Sequence, residues 1–150
     1  MIETIKAIIL DFQEAQLETG VSRRVRIEKE SGKAVVCIGV RRSGKSTYMF
    51  KIMERLFAGG VLPENILYLN FFDDRLHNLG QEGRGKITDA CYSLFPEKKN
   101  SETVHCFFDE IQAIPAWEPF VDRLMRTEKC QIYFVFSGGT LLTHSRCRRI

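Results

Sequence analysis

No stretch of this 150-residue chain approaches the roughly 18 consecutive apolar residues that a membrane-spanning helix requires. The apolar run Ala7 to Leu10 is short, weakly preceded by charge and closed by Asp11, so no signal peptide is expected. There is no C-x-x-C pair. The five cysteines (Cys37, Cys91, Cys106, Cys130, Cys147) are odd in number, and two fall inside apolar strand patterns. They read as reduced, mostly buried thiols rather than as structural zinc ligands or a disulfide framework. A soluble, cytoplasmic protein without membrane partners is the expectation. Internal repeats and low-complexity segments are missing too. So is a strong charge of one sign: a net +3 is too small to argue for nucleic acid. The excess is local, in Arg23, Arg24 and Arg26 and in Arg146, Arg148 and Arg149. Neither cluster is interleaved with stacking aromatics, so solvated surface is preferred over a DNA contact.

What is present is an alternation of periodicities. Ile2, Ile5, Ile9 and Phe12 recur at helical spacing, predicting an N-terminal helix that ends before Gly20, with a polar connection over residues 21–33. Ala34 to Ile38 is rich in β-branched residues and reads as a first core strand. Met49, Ile52, Met53 and Leu56 mark one stripe of a helix over Lys45 to Ala58, stopped by Gly59 and Gly60. A second strand is predicted over Ile66 to Phe71, a helix on Ile87, Ala90, Cys91 and Leu94 halted at Pro96, and a loop from Glu97 to Glu102. A third strand over Thr103 to Phe108, a helix carrying Trp117, Phe120, Val121 and Leu124, and a fourth strand over Gln131 to Phe136 complete the pattern. Strands this continuously apolar, alternating with helices, imply an α/β domain with a parallel sheet covered on both faces. The length suits one domain over 1–150: a helix and connection over 1–33, a core over 34–136 and a tail over 137–150.

Between the first strand and its helix stands Gly39-Val40-Arg41-Arg42-Ser43-Gly44-Lys45-Ser46, a complete G-x-x-x-x-G-K-[ST] phosphate loop followed by Thr47. Glycines let consecutive N–H groups converge on phosphate oxygens, and the following helix points its positive end at the same place. Lys45 supplies a mobile charge for the β- and γ-phosphates, and the Ser46 hydroxyl is a short, hard ligand for Mg²⁺. The Arg41 and Arg42 side chains either add charge to the site or are simply solvated.

The third strand ends abruptly in Asp109-Glu110, which looks like a Walker B element. Parallel strands deliver their C-terminal ends to the ligand crevice, so Asp109 is expected near the Mg²⁺ held by Ser46, through water, and Glu110 is placed to orient or deprotonate the attacking water. Capping of the following turn is the plainer alternative. His105, mid-strand, reads as a packed core residue, and Asp73 and Asp74 as turn or helix caps rather than metal ligands.

Gly39-Val-Arg-Arg-Ser-Gly-Lys-Ser-Thr47, Tyr68-Leu-Asn-Phe-Phe-Asp-Asp74 and Phe108-Asp-Glu-Ile-Gln-Ala-Ile-Pro-Ala-Trp-Glu118 together resemble one group. These are the AAA-like P-loop ATPases of bacteria and archaea that carry a C-terminal domain of uncharacterised, often nuclease-like, type. The likeness runs from the N-terminal helix to Phe136, and the Asp-Glu-Ile-Gln and Pro-x-Trp combination is its more specific part. It implies the additional-strand sheet, with the fourth strand inserted between the phosphate-loop strand and the Walker B strand. It further implies that Gly39, Gly44, Lys45, Ser46 and Thr47 bind ATP and Mg²⁺, Asp109 serves the metal and Glu110 activates water.

The chain departs from that group at Ser137-Gly-Gly-Thr140, where a polar γ-phosphate-sensing segment usually stands, and no second domain follows. A partial domain, truncated after the fourth core strand, is therefore expected, with Ala34 to Ile38 left as an open sheet edge prone to association. The functional expectation is Mg²⁺-dependent ATP hydrolysis serving an absent partner domain, with a homo-oligomer or partner protein also open. Its rivals are a non-catalytic nucleotide-binding or regulatory module and a small-molecule phosphotransferase, which would not need Glu110. No Asn-Lys-x-Asp guanine-reading segment occurs.

Overall fold

The computed structural model describes residues 1–16, 34–39, 45–80 and 83–137, with residues 16, 34–39, 45–47 and 135–137 described by their backbone alone. Eight regular elements follow in the predicted order: α1 (Ile2–Gln16), β1 (Ala34–Gly39), α2 (Lys45–Ala58), β2 (Ile66–Asn70), α3 (Gly85–Leu94), β3 (Val104–Asp109), α4 (Trp117–Thr127) and β4 (Cys130–Ser137). The four strands form one sheet in the order β1-β4-β3-β2, and every pairing is parallel. The last strand is therefore inserted between the first and the third. A parallel neighbour cannot be reached by a tight turn, so each connection carries a helix over one face of the sheet.

Alternation along the strands sorts side chains onto two faces. Leu67 and Leu69 of β2, Val104, Cys106 and Phe108 of β3, and Ile132 and Phe134 of β4 join Ile87 of α3, Phe120 and Leu124 of α4 and Ile5 and Ile9 of α1 in the larger core. On the opposite face Ile66, Phe107 and Tyr133 meet Met49, Ile52 and Met53 of α2, and Phe107 lies flat on Tyr133 with ring centroids 4.3 Å apart. Fully burying side chains such as Phe107 and Phe108 stabilises the fold by about 1.5–3 kcal/mol each.

β2 ends the sheet on one side, where unpaired backbone groups would invite another strand. α1 covers that edge. Its buried Gln13 donates through Nε2 to the carbonyls of Pro63 (3.2 Å) and Ile66 (3.3 Å), and Asp11 accepts from Arg75 Nη1 at 2.8 Å beyond the far end of β2. Among the described strands β1 forms the other end of the sheet.

Element ends differ from the periodicity by a residue. β2 stops at Asn70, because Phe71 turns away in a tight bend closed by Asn70 Oδ1 accepting from the Phe72 N–H at 2.9 Å. β3 extends through Asp109, whose carbonyl still accepts from Phe71 N–H. The predicted loop after α3 holds a single 3-10 turn, Pro96–Lys98. Asp73 caps a 3-10 turn by accepting from the Arg75 N–H, and His105 is half-buried against Tyr133, so both read as packing and capping residues. Cys91 and Cys106 are buried free thiols and Cys130 is partly buried. The arginine clusters near residues 24 and 148 lie outside the described residues. Among the described residues no helix is long and apolar enough to cross a membrane.

Candidate functional site

Residue rows across the sheet define where the chain can gather ligand. Asn70 of β2 stands beside Asp109 of β3, Asp109 beside Val135 of β4, and Val135 beside Cys37 of β1. Two residues further toward the C-terminal end, Gly39 is paired with Ser137. Gly39 is thus the last residue of β1, and five residues, 40–44, join it to Lys45 at the start of α2. So short a connection keeps the N-terminus of α2 at the same end of the sheet that receives Asp109. Asp109 sits two strands from β1, about 10 Å at the usual strand spacing.

The sequence-predicted residues therefore divide. Gly39 closes β1, Lys45, Ser46 and Thr47 form the first turn of α2, and Asp109 and Glu110 close β3, all at one end of the sheet. Val40, Arg41, Arg42, Ser43 and Gly44 lie outside the described residues, as does the segment after Ser137.

Asp109 is 3% exposed. It shares the α2 face with Phe107, and on that face the hydroxyl of Tyr68 lies 3.1 Å from Asp109 Oδ2 and donates to it. The phenol is consequently held above its ordinary range, by burial first and by the neighbouring carboxylate second. A buried carboxylate is costly unless charge or hydrogen bonds compensate it, and such groups concentrate at functional sites.

Glu110 adopts a left-handed conformation, φ 57°, ψ 38°. A non-glycine residue pays for this conformation in steric strain, and the turn swings the chain sharply away from the strand. The half-buried Glu110 side chain accepts a hydrogen bond from Gln112 Nε2. A second left-handed residue, Ala116 (φ 51°), precedes α4. Between them Ile111, Ile114 and Trp117 are buried, Trp117 packing on Phe134, while Arg84 Nη1 donates to the carbonyls of Pro115 (2.8 Å) and Ala116. The Asp-Glu-Ile-Gln and Pro-x-Trp segment is thus a pinned loop that presents Glu110 next to Asp109.

Three residues of this region were given no role by the sequence: Arg84, and Tyr68 and Gln112, which stand inside the quoted motifs but were not singled out within them. Tyr68 had the nearest thing to a signal, a hydroxyl within an apolar strand, which needs a buried partner.

Mg²⁺ prefers oxygen ligands and keeps several waters and substrate phosphates rather than accepting an all-protein cage. The residues fit that demand. Asp109 is a carboxylate set at the ligand end of a strand, and a serine lies in the first turn of α2.

A parallel sheet of order β1-β4-β3-β2, with a helix starting just beyond β1 and a buried carboxylate closing β3, defines a P-loop-type α/β domain. A family model described as an AAA domain matches residues 31–147, and the chain belongs to that nucleotide-binding family. An uncharacterized protein of Methanocaldococcus jannaschii is 33% identical over 137 residues, covering 91% of this chain and 28% of its own length. An uncharacterized protein of Haemophilus influenzae is 32% identical over 110 residues, covering 72% of this chain and 26% of its own length. The chain thus spans just over a quarter of the length of these relatives. No solved structure matches.

Proposed function

We propose that the chain is the ATP-binding part of an AAA-type ATPase, built for Mg²⁺-dependent hydrolysis whose energy serves another domain of a longer protein. The observation that carries this reading is the buried Asp109, with Glu110 turned beside it, at the end of the sheet where β1 gives way to α2. Main-chain N–H groups of residues 39–46 hold the phosphates, and Lys45 balances charge on the β- and γ-phosphates. The Ser46 hydroxyl and, through water, Asp109 hold Mg²⁺, which when bound neutralises charge developing on the phosphates. Glu110 orients the attacking water and takes its proton. Its backbone is left-handed, and its carboxylate accepts a hydrogen bond from the Gln112 amide. The family match and the greater length of both relatives support a nucleotide-driven domain within a larger chain.

Calorimetry with ATP and Mg²⁺, paired with a phosphate-release assay, tests the reading. Lys45→Ala is expected to abolish binding. Glu110→Gln is expected to keep ATP affinity within a few-fold while hydrolysis falls by about 10²-fold or more, the usual contribution of a positioned base. Unchanged affinity in the Lys45 variant would remove the site assignment, and wild-type binding without phosphate release would select a non-catalytic nucleotide module.

A further inference from the structure

The Tyr68 ring occupies a setting that phosphate chemistry alone does not explain. It packs in a triangle with two other rings, one from α1 and one from α2. Phe12 of α1 stacks on it with centroids 4.6 Å apart and planes 28° from parallel, and Phe50 of α2 sits 5.6 Å away at 42°. Phe12 and Phe50 are themselves 6.4 Å apart. Both rings pack against Tyr68 from neighbouring sides, and its hydroxyl reaches Asp109 Oδ2 at 3.1 Å. Strand parity makes this reach available. Tyr68 pairs with Phe107, and Asp109, two residues on, projects on the same face of the sheet. α1 lies outside the segment matched by the AAA domain model, yet it supplies one ring of this cluster and also holds β2 through Gln13.

We propose that Tyr68 is a positioning residue for Asp109: its hydroxyl, carried on a ring packed against Phe12 and Phe50, binds one carboxylate oxygen so that the other is presented to Mg²⁺-bound water, which makes α1 part of the support of the nucleotide site. This rests on the reading of Asp109 as the metal-serving carboxylate. Outer hydrogen-bond partners of metal ligands typically contribute 10- to 100-fold to metal affinity, and contact through water places Tyr68 at the lower end of that span.

The test measures ATP affinity by calorimetry in excess EDTA and again in saturating Mg²⁺, for the wild-type chain, Tyr68→Phe and Asp109→Asn. Tyr68→Phe retains the three-ring stack and removes only the hydroxyl. Affinity in EDTA and the melting temperature should hardly change, while the Mg²⁺-dependent gain in affinity should shrink about tenfold. If Asp109→Asn loses that gain but Tyr68→Phe keeps it in full, the positioning role is wrong and the nucleotide-site reading stands. No binding by the wild-type chain in either condition overturns both. Should Tyr68→Phe melt early, Phe12→Leu applies the same test through the ring that packs on Tyr68. It leaves the hydroxyl in place but removes the stacked neighbour, and a several-fold loss of the Mg²⁺ gain is expected; an unchanged gain counts against support from α1.

Discussion

Truncating Phe12 to alanine tests whether α1 is an integral part of this domain. Phe12 is half-buried, stacked on Tyr68 at 4.6 Å and near Phe50 at 6.4 Å. A fully buried phenylalanine costs about 3–5 kcal/mol on truncation, so half-burial sets the transfer and cavity share near about 2 kcal/mol. The lost ring stack adds about 0.5–1.5 kcal/mol beyond buried area. Together these predict destabilisation of about 2.5–3.5 kcal/mol, a large part of the about 5–15 kcal/mol typical of a whole domain. With a urea slope of about 2 kcal/mol/M, the midpoint should fall by about 1.2–1.8 M with no change in slope. Urea melts followed by far-UV circular dichroism measure the shift. A double-mutant cycle with Tyr68→Ala should return a coupling of about 0.5–1.5 kcal/mol, because the two rings are in direct contact. A midpoint shift under about 0.3 M, or strictly additive single losses, would refute the view that α1 locks Tyr68 in place.

The left-handed backbone at Glu110 makes a prediction opposite in sign to ordinary helix or strand behaviour. Glu110→Ala and Glu110→Gly both delete the carboxylate, so both should stop hydrolysis, but the glycine variant should be the more stable by about 1 kcal/mol; equal or reversed urea midpoints would show that the residue is unstrained. Alkaline pH should also loosen the fold. Burial first, and the Glu128 carboxylate second, push the Cys91 thiol from 9.0 up to about 11, and burial first, with Cys106 second, pushes the Tyr133 hydroxyl up to about 12. A folded-state pKa raised above its unfolded value gives stability that is complete below the unfolded pKa and drains away above it. For Cys91 that window opens near pH 9 and amounts to about 2 kcal/mol by about pH 11. Urea melts at pH 8 and pH 10.5 check this, and Cys91→Ala should flatten the slope; stability that does not fall between those values would contradict it.

The reach of the sequence is clearest residue by residue. Helical spacing of Met49, Ile52 and Met53 located α2 and the face it buries, because amphipathic period is a local property. The acidic pair after an apolar run is likewise a local pattern, and it marked the end of β3, which closes at Asp109. Strand ends moved by a residue where bends closed by side chains such as Asn70 outcompeted the apolar pattern. The roles of Tyr68 and Arg84 were illegible because their partners lie 41 and 31 or more residues away with no spacing rule joining them, and that of Gln112 because its contact depends on the left-handed turn at Glu110.

Composition and periodicity were enough to determine a parallel α/β domain, since each depends only on neighbours in the chain. The residues could not by themselves decide that α1 would seal the β2 edge, or that Phe12 and Phe50 would pack against the ring whose hydroxyl meets Asp109. Those contacts come from the crossing of two helices over a sheet whose strand order differs from chain order, and only the folded arrangement brings such distant residues within hydrogen-bonding and stacking distance.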